Sequence, residues 1–553
     1  MKVLILGGYG TFGGRLADLL LAERQLTIFI AGRNMAAAEA FCMAREGTAR
    51  LVPVLLDRKA PAEVLCQIKP DLVVDASGPF QAYGGEPYAF ARQVIEAGAD
   101  YIDLADGAEF VSGITIVDEL AQRSNRFALS GMSSFPALTA AVLRHLAAGE
   151  GSVHSVTAGI APSPFAGVGL NVIRAIASYA GQPVEVLEDG TWQKRSGFFD
   201  SRWLAIKVPG EVPLWPIRFA LAEVPDLKLL PREWPELETM WIGAGPTPAV
   251  LHRLLWLAAG LVKIGVVSSL LPLAPLMNWA VNRIRWGEHR GGMVVDVRMR
   301  SGECRSWHLL AEGDGGPLIP SMAAEAIVRK CLAGQRPAAG ARPGHRDLEL
   351  ADYAALLARH GIKTGLRHGD TGQPLYHHVM GERFAQLAPP LQLLHAGAKE
   401  LVMTGKASVS RGASPVTRLA CFLFGFPPTG EEIDVTVRIA AVGRRETWVR
   451  NFSGRRFQST QEPGGGHRDG LIVERFGPFA FAMAAVERQG GIELVLRSWS
   501  LLGLPLPRWA MPTSRAIEHG SDGRFNFDVA FGLPLFGKIV HYKGWLVAAS
   551  QTH

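Results

Sequence analysis

Residues 1–14 read MKVLILGGYGTFGG, and this stretch decides the fold of the first half of the chain. Residues 3–6 (VLIL) are all apolar, which is typical of a strand that is buried on both faces of a parallel sheet. The run GYGTFG at 8–13 follows at once, and residues 15–23 (RLADLLLAE) then place apolar side chains at helical intervals. A strand, a glycine-rich turn and a helix in this order predict a dinucleotide-binding site.

Each glycine of the GxGxxG motif has a physical role in this interpretation. We expect Gly8 to permit a tight turn, and Gly10, which lacks a Cβ atom, to leave room for a pyrophosphate. Gly13 lets the helix pack closely on the strand, and N–H groups at the helix N-terminus face the phosphates. The predicted cofactor contacts in this turn are Gly8, Tyr9, Gly10, Thr11, Phe12 and Gly13. The alternative is a glycine-rich turn without a ligand.

The length and composition of the chain indicate a globular protein. Its 553 residues exceed what one hydrophobic core organises, and we expect about two to four domains. Hydrophobic residues make up 48% and charged residues 20% of the chain, which is the apolar end of globular composition. The net charge of +6 fits an anionic cofactor or contact with an anionic membrane. Because no basic run is interleaved with aromatic residues, we expect no nucleic-acid partner.

The cysteines and the N-terminus favour a cytoplasmic location. The cysteines are Cys42, Cys66, Cys304, Cys331 and Cys421, with no CxxC pair and no metal-ligand spacing. This scatter fits a reducing compartment and predicts neither a disulfide framework nor a metal site. The N-terminal segment has one lysine, followed by four apolar residues before the first glycine, which indicates a strand and not a signal peptide.

The residues after the second predicted strand bear on the choice of dinucleotide. This strand, 26–31 (LTIFIA), ends in Gly32-Arg33-Asn34, and Arg33 lies twenty residues after Gly13. An acidic residue here would accept a hydrogen bond from the ribose 2′-hydroxyl of NAD, whereas an arginine offers a charged fork to the 2′-phosphate of NADP. Because this strand end has no Asp or Glu, the sequence predicts NADP, with NAD as the less favoured cofactor. A solvated arginine is the alternative.

The strands that follow complete a doubly wound α/β sheet in this prediction. Residues 51–56 (LVPVLL) form the third strand, and Asp57 at its end could accept a hydrogen bond from the adenine amino group or be an ordinary loop residue. Residues 72–74 form the fourth strand, and strands near 101–104 and 127–129 make six. Small residues after the fourth strand leave room for ribose and nicotinamide. These predicted contacts are Ala76, Ser77, Gly78 and Pro79.

Four motifs of this half of the chain resemble a known family. They are GGYGTFGG at 7–14, AGR at 31–33, DASGPF at 75–80 and YIDLADGAEFV at 101–111. These motifs resemble the saccharopine dehydrogenase/reductase-like NAD(P)-binding proteins, over about residues 1–340. The resemblance implies a Rossmann domain at 1–135 and an α/β substrate domain at 136–333 whose sheet closes over the nicotinamide. It also implies that a helix, here 321–332, returns to the Rossmann domain.

The most unusual segment of the predicted substrate domain is 254–281. Its second part, 264–281 (IGVVSSLLPLAPLMNWAV), contains no charged residue, and two prolines interrupt it. Arginines and tryptophans crowd one end, namely Trp279, Arg283, Arg285, Trp286 and Arg290. Three interpretations stay open: a buried helix pair, a monotopic segment that faces lipid, and a transmembrane span. Peripheral membrane contact would use residues 254–290.

The last third of the chain predicts a β-rich domain at 347–553, after a linker at 334–346 (GQRPAAGARPGHR). Short runs with period two predict an antiparallel sheet, curved or partly closed. These runs are 400–405, 432–440, 446–452, 455–460, 470–476, 479–487, 491–500, 515–519, 524–530 and 538–545. The stretch from about 375 to 550 resembles an uncharacterised domain that is often fused to such oxidoreductases. An apolar pocket for a lipid-like ligand and a purely packing role both stay open.

The sequence assigns no catalytic residue. It has neither a Tyr-x-x-x-Lys pair nor a Gly-x-Ser-x-Gly elbow. A proton donor near the nicotinamide would be needed to reduce a carbonyl or imine. Asp106, Tyr101 and His289 are the groups to test, although a charged loop residue is more often merely solvated.

These patterns together predict an NADP-dependent oxidoreductase. It would transfer a hydride to or from a carbonyl, imine or activated double bond of a small apolar substrate. The alternative is a non-catalytic NADP-binding sensor or lipid-handling protein, peripheral to a membrane. A homodimer and a membrane-associated cytoplasmic location are further expectations that the sequence leaves open.

Overall fold

The computed structural model describes residues 1–80, 83–149, 151–369, 372–534 and 536–549. The chain forms two compact units. The first contains Met1–Leu204 and Ile217–Lys363, and the second contains Ala205–Pro216 and the chain from Thr364 onward. Residues 205–216 thus belong to the second unit, although the sequence places them in the substrate domain. The reason is local: Lys207 forms an ion pair with Asp469, and Val212 packs against the cluster around Leu471.

The first unit alternates strands with helices. Its strands are β1 (Lys2–Leu6), β2 (Thr27–Gly32), β3 (Arg50–Leu55), β4 (Leu72–Asp75), β5 (Asp100–Asp103), β6 (Phe127–Ser130), β7 (Val153–Ala161), β8 (Pro183–Glu188), β9 (Thr191–Ser196), β10 (Ser201–Leu204), β11 (Ile217–Leu221), β12 (Thr239–Ala244), β13 (Arg290–Met299), β14 (Cys304–Glu312) and β15 (Gly340–Pro343). Its helices are α1 (Thr11–Leu20), α2 (Met35–Met43), α3 (Ala62–Ile68), α4 (Ala89–Glu96), α5 (Ala108–Gly113), α6 (Asp118–Arg123), α7 (Thr139–Ala147), α8 (Leu170–Tyr179), α9 (Asp226–Glu233), α10 (Ala249–Lys263), α11 (Ala274–Arg283), α12 (Ile319–Leu332) and α13 (Leu350–Arg359).

The first sheet has the order β15-β6-β5-β4-β1-β2-β3, and its neighbouring strands are parallel. This confirms the predicted doubly wound parallel sheet. β1 lies inside the sheet because residues 3–6 are buried on both faces, as their apolar run requires. The strand order reverses between β1 and β4, so the carboxyl ends of these strands form the switch point at which such sheets bind ligands.

Residues 334–346, which the sequence predicts as a linker, lie partly in this sheet. β15 pairs in parallel with β6, and Ala341 is buried. The Ala341 N–H donates to Asp118 Oδ1 at 2.7 Å, and Arg336 forms an ion pair with Asp100. The linker prediction rested on Gly, Pro and Ala content, but a short edge strand is stabilised by backbone pairing and needs no hydrophobic period.

The second sheet of this unit contains the order β10-β11-β12-β7-β13-β14, and β8 joins β12 to β9. β12 and β7 are parallel, whereas β13 is antiparallel to both β7 and β14, so the sheet is mixed. This confirms the predicted α/β character of the substrate region. α12 packs along α1, and Ser321 Oγ donates to the Phe12 carbonyl oxygen at 3.0 Å.

The apolar run 254–281 is divided between two helices. α10 ends at Lys263, and α11 starts at Ala274 after a short 3-10 turn at Leu271–Leu273. Their inner faces pack into a core with Ile173 and Ala177 of α8. None of the helices that the structure describes combines the length and the hydropathy needed to cross a membrane.

The second unit is built on antiparallel strands. Its strands, starting at the boundary between the units, are β16 (Lys363–His368), β17 (Glu400–Arg411), β18 (Gly430–Val442), β19 (Arg445–Phe452), β20 (Arg455–Pro463), β21 (Ile472–Phe476), β22 (Phe479–Arg488), β23 (Gly491–Leu501), β24 (Leu504–Pro505), β25 (Thr513–Ser521), β26 (Arg524–Leu533) and β27 (Gly537–Ala548). Its helices are α14 (Leu375–Met380), α15 (Pro389–Leu394) and α16 (Pro415–Leu423).

The main sheet of the second unit closes on itself. The order is β22-β21-β20-β19-β18-β17-β27-β26-β25-β23, and β23 pairs back with β22. Each of the ten period-two runs in the sequence corresponds to one strand of this closed sheet, which confirms the predicted antiparallel domain. The alternation is visible in β18, where Val435, Val437 and Ile439 point to the interior. The sequence did not predict α16.

Candidate active site

The glycine-rich turn after β1 begins one residue earlier than the sequence predicts. Gly7 has the positive backbone angle, φ 76°, that a tight turn requires of glycine. The N–H groups of Gly7 and Gly8 both donate to the Ala31 carbonyl oxygen, at 2.8 and 3.2 Å. Gly8 lies inside the same turn, and a Cβ atom there would lie 2.8 Å from the Ile5 carbonyl oxygen. The turn therefore requires glycine at both positions.

The start of α1 has the features of an anion site. A Cβ atom at Gly13 would overlap the Gly7 carbonyl oxygen, so only glycine allows the helix to pack against the turn. The helix begins at Thr11, and no side chain of the described residues caps it at Gly10. The N–H groups of the first turn of a helix have no intrahelical partner. They can therefore bind phosphate oxygens.

A groove of about 520 Å³ runs along the carboxyl ends of β1, β2, β3 and β4. The predicted cofactor residues that line it are Tyr9, Gly10, Thr11, Phe12, Arg33, Asp57, Ala76, Ser77, Gly78 and Pro79. Gly8 and Gly13 lie behind the turn and do not line the groove. The structure thus brings ten of the twelve predicted residues to one groove, and their contact with a cofactor stays a prediction.

The groove lining carries three basic residues. Arg33 is exposed after β2, and Arg58 and Lys59, which the sequence interpretation missed, also line the groove. Asp57 Oδ1 accepts a hydrogen bond of 2.9 Å from the Lys59 backbone N–H, which holds the loop after β3. The Arg58 guanidinium lies 3.2 Å from the centre of the Tyr83 ring. Arg58 and Lys59 lie three and four residues after the end of β3, and this position near a strand end is the signal that could have identified them.

Tyr9 connects the glycine-rich turn to the end of β2. Its hydroxyl oxygen accepts a hydrogen bond of 3.0 Å from the Asn34 N–H. Its ring lies so close to Gly32 that a Cβ atom there would overlap the phenol. Gly32 and Tyr9 therefore shape the groove between the turn and Arg33.

A polar cluster at the end of β4 forms the wall of the groove. The buried Asp75 carboxylate accepts hydrogen bonds from the Ser77 N–H at 3.0 Å and the Ser77 hydroxyl at 2.6 Å. Tyr83, which the sequence interpretation missed, donates to Asp75 Oδ2 at 3.2 Å and lies 2.9 Å from Ser77 Oγ. Burial raises the pKa of Asp75, although these bonds oppose the shift. Burial and the neighbouring Asp75 charge raise the pKa of Tyr83.

The end of β5 carries a second buried carboxyl group. Asp103 Oδ1 accepts hydrogen bonds from Ser130 Oγ and from the Ala105 and Gly131 N–H groups, at 2.9 to 3.0 Å. Oδ2 has no partner among the described residues. Burial raises the pKa of Asp103 to about 7, which is consistent with a proton on Oδ2.

The three proton-donor candidates lie in different places. Asp106 lines the groove. Tyr101 is buried in the core of the first sheet, and burial raises its pKa. His289 lies 3.4 Å from Asp314, outside the linings of the groove and of the apolar cavity described below. Within the described ranges, no three His, Cys, Asp or Glu side chains are placed to hold a metal ion.

An apolar cavity of about 300 Å³ adjoins the groove. The residues that line both are Thr11, Phe12, Gly169 and Val172. Its walls come from α8, α10, α11 and the second sheet, through side chains such as Ile173, Ile176, Leu251, Leu255, Met277, Val281 and Met293. The cavity brings together residues that lie far apart in the sequence.

Arg15 is the charged side chain in the lining of this cavity. It is partly buried, and burial lowers the pKa of its guanidinium. One nitrogen donates a long hydrogen bond of 3.4 Å to the Ala166 carbonyl oxygen, and no carboxylate among the described residues pairs with it. Ser163 and Thr247 are further polar side chains in the lining. The cavity therefore suits an apolar ligand with one anionic or carbonyl group.

The closed sheet of the second unit also encloses a cavity, of about 100 Å³. Its lining is rich in phenylalanine, including Phe424, Phe476 and Phe531. The Arg450 guanidinium lies 3.3 Å from Glu474, and Ser459 Oγ donates to the same carboxylate at 2.6 Å. A second carboxylate in the lining, that of Glu518, lies 2.8 Å from His395 Nε2, so the apolar interior holds paired charges.

Residues 387–546 match a family described as a domain of unknown function, DUF4166. This match confirms that the C-terminal stretch resembles an uncharacterised domain. Among curated proteins, no match to the chain is found.

Solved structures that resemble the chain include dehydrogenases. Apo saccharopine dehydrogenase (L-Glu forming) from Saccharomyces cerevisiae is 14% identical, with 66% of this chain and 99% of that chain covered and a TM-score of 0.46. The WlbA (WbpB) dehydrogenase from Thermus thermophilus, in complex with NAD and α-ketoglutarate, is 13% identical, with 64% and 94% covered and a TM-score of 0.29. A myo-inositol dehydrogenase from Corynebacterium glutamicum is 11% identical, with 61% and 90% covered and a TM-score of 0.31.

Proposed function

We propose that the first unit is an NADP-dependent oxidoreductase that acts on an apolar substrate. This proposal rests on one observation, namely that a groove and an apolar cavity share lining residues. A groove at the switch point of the parallel sheet meets an apolar cavity at Thr11, Phe12, Gly169 and Val172. Hydride transfer needs the nicotinamide and the substrate carbon in contact, and this junction supports such an arrangement.

The residues of the groove fit a dinucleotide. The close approach of Gly13 to Gly7 leaves no room for a side chain, and the uncapped start of α1 offers N–H donors to a pyrophosphate. NADP, when bound, supplies or accepts the hydride. The chain's own residues bind and orient it: Ser77 and Pro79 would border the nicotinamide ribose.

The preference for NADP over NAD rests on charge. Arg33 lies in the groove lining at the end of β2, where a dinucleotide fold places the adenosine ribose, and no acidic residue follows β2 directly. A 2′-phosphate would gain charge-assisted hydrogen bonds there. The 2′-hydroxyl of NAD would instead require a carboxylate acceptor at the end of β2.

The cavity indicates the class of substrate. Its apolar walls and the single charge of Arg15 favour a molecule with an apolar body and one carbonyl or carboxylate group. A substrate with several carboxylates would leave charges unpaired against apolar walls. Saccharopine itself is therefore not the substrate that we propose.

A carbonyl substrate also needs a proton. Asp106 and Tyr83 are ionisable groups that line the groove, and the Tyr83 hydroxyl oxygen lies 2.9 Å from Ser77 Oγ. We propose Tyr83 and Asp106 as the groups to substitute, with Tyr83→Phe and Asp106→Asn. An activated double bond would need a proton only at carbon, which solvent can supply. If both variants keep their turnover, reduction of an activated double bond is therefore favoured over reduction of a carbonyl.

The experiment that tests the proposal is a titration of the purified chain with NADPH and NADH, followed by nicotinamide fluorescence. Wild type should bind NADPH more tightly, and Arg33→Asp should lose roughly 1.5–3 kcal/mol of NADPH binding, or about tenfold and more in Kd. Arg24→Asp is the matched control, because Arg24 is exposed before β2, at the other end of that strand from Arg33.

Two results would change the proposal. If neither nucleotide binds, the oxidoreductase assignment fails. If NADPH binds tightly but no apolar aldehyde, ketone or enoyl compound in a panel is reduced, the chain is a non-catalytic sensor or lipid-handling protein, which is the alternative function.

A further inference from the structure

The outer faces of α10 and α11, the loop between them and the residues after α11 up to Trp286 carry exposed apolar side chains, and they are here named the α10–α11 surface. The most exposed large apolar side chains of this surface, each 55–70% exposed, are those of Leu257, Ile264, Val266, Leu276, Trp279 and Trp286. Single exposed apolar side chains are ordinary on a protein surface. A continuous group of them indicates an interaction site.

These helices carry large apolar side chains on both faces. Val262 and Met277 pack into the core, while Leu257 and Leu276 point outward. A surface helix normally turns its charged residues to solvent and its large apolar residues to the core. The outer side of the α10–α11 surface is therefore suited to contact with an apolar environment other than the protein core.

The charges within this segment of the chain have one sign. Residues 239–287 include Arg253, Lys263, Arg283 and Arg285 and contain no Asp or Glu. All four cations are exposed, and no carboxylate of the described residues pairs with them. Clustered cations beside tryptophan and leucine are typical of a segment that lies in the interface of an anionic bilayer.

We propose that the α10–α11 surface docks onto the face of an anionic phospholipid bilayer. Leu257, Leu276 and Trp279 would enter the boundary between headgroups and acyl chains, and Arg283 and Arg285 would meet lipid phosphates. A second copy of the chain is a poorer occupant. A two-fold interface through this surface would oppose like charges, with no acidic residue of the segment to offset them.

The inner faces of the same helices line the apolar cavity, through Leu251 and Leu255 of α10 and Met277 and Val281 of α11. Two helices thus separate the docking surface from the cavity. This placement, which rests on the proposed function, assigns the substrate to small apolar molecules dissolved in the bilayer. An apolar molecule would pass from the membrane into the cavity without crossing water.

The test is flotation of the full chain with vesicles of phosphatidylcholine, with or without phosphatidylglycerol. We expect wild type to float with the anionic vesicles and to bind less at high salt. Leu276→Asp and Trp279→Ser should abolish most of this binding. Arg283→Gln and Arg285→Gln should each weaken it about fivefold, as expected for one cation near an anionic surface.

Matched controls come from exposed residues elsewhere in the first unit. Ile116→Asp and Trp192→Ser change side chains that are 66% and 53% exposed, and Arg92→Gln removes an exposed cation. These variants should float as wild type does. NADPH titration of every variant shows whether it is folded and separates a failure of docking from a failure of the proposed function.

Three outcomes would overturn the proposal. Wild type could stay unbound with both kinds of vesicle, or Leu276→Asp and Trp279→Ser could float as well as wild type while binding NADPH normally. Alternatively, sedimentation could show a wild-type dimer that Leu276→Asp converts to a monomer, with no vesicle binding, and a second copy would then cover the surface.

Discussion

The side-chain amide of Asn171 donates a hydrogen bond of 2.8 Å to the Gly78 carbonyl oxygen. Asn171 lies in the first turn of α8, next to Val172, which lines both the groove and the apolar cavity. Gly78 lies in the loop after β4, whose Ser77 also lines the groove. This bond therefore couples a wall of the proposed substrate cavity to the loop beside the proposed nicotinamide site.

Asn171→Ala should loosen the loop after β4. Loss of one hydrogen bond costs about 0.5–1.5 kcal/mol, so the Kd for NADPH should rise about two- to tenfold. Hydrogen exchange of the backbone amides of Ala76, Ser77, Gly78 and Phe80 should also become faster. Ser178→Ala, on the exposed side of the same helix, is the control. Equal exchange in wild type and Asn171→Ala would show that the bond does not hold the loop.

Gly13→Ala should damage both cofactor binding and folding. The added Cβ atom would overlap the Gly7 carbonyl oxygen, so the turn or the helix must move. Overpacking of this kind costs about 1–3 kcal/mol. NADPH titration and thermal unfolding measure the two effects. Gly85→Ala is the matched control, because a Cβ atom there would meet nothing within 4 Å. Normal NADPH affinity in Gly13→Ala would contradict the assignment of the turn to the pyrophosphate.

Much of the fold follows from local patterns. The run VLIL at 3–6 predicts a strand buried on both faces, and β1 lies inside the parallel sheet. The ten period-two runs predict the strands of the closed sheet, because a sheet with one buried face must alternate. β15 was missed because a short edge strand carries no periodic signal.

The site was predictable only where its residues are close in sequence. The motif at 8–13 and the strand-end residues identify the groove, but the motif could not show that Gly7 makes the turn. The apolar cavity joins Arg15 of α1 to Leu255 of α10 and Met293 of β13. No local sequence pattern shows that residues so far apart in the chain line one cavity. Arg15 can therefore be identified as a lining residue only from the tertiary structure.

Buried Asp103 should make the stability of the first unit depend on pH. Its pKa is raised to about 7 by burial in the folded chain, against about 3.9 in an unfolded chain. The protonated group is thus favoured by folding, so its contribution is full below about pH 4 and is lost as pH rises to about 7. The loss should be about 1.4 kcal/mol per pH unit.

Asp103→Asn removes this titration while keeping the oxygen that accepts the three hydrogen bonds. Urea unfolding across the range of about pH 4 to 7 should show a shallower fall in stability for the variant than for wild type. Asp226, whose pKa burial also raises to about 7, should preserve part of the slope. Identical slopes in wild type and Asp103→Asn would show that Asp103 is ionised in the folded chain.

Arg15→Met should change which ligands the apolar cavity accepts. Decanoate and decanol share an apolar chain but differ in charge, and competition with an apolar fluorescent probe measures the affinity of each. A charged hydrogen bond contributes roughly 1.5–3 kcal/mol, so decanoate binding should weaken about tenfold or more while decanol binding stays within about twofold. Arg24→Met, which removes an exposed cation far from the cavity lining, should change neither. An equal loss for both ligands would mean that Arg15 only packs against the cavity, and the substrate would then need no anionic or carbonyl group.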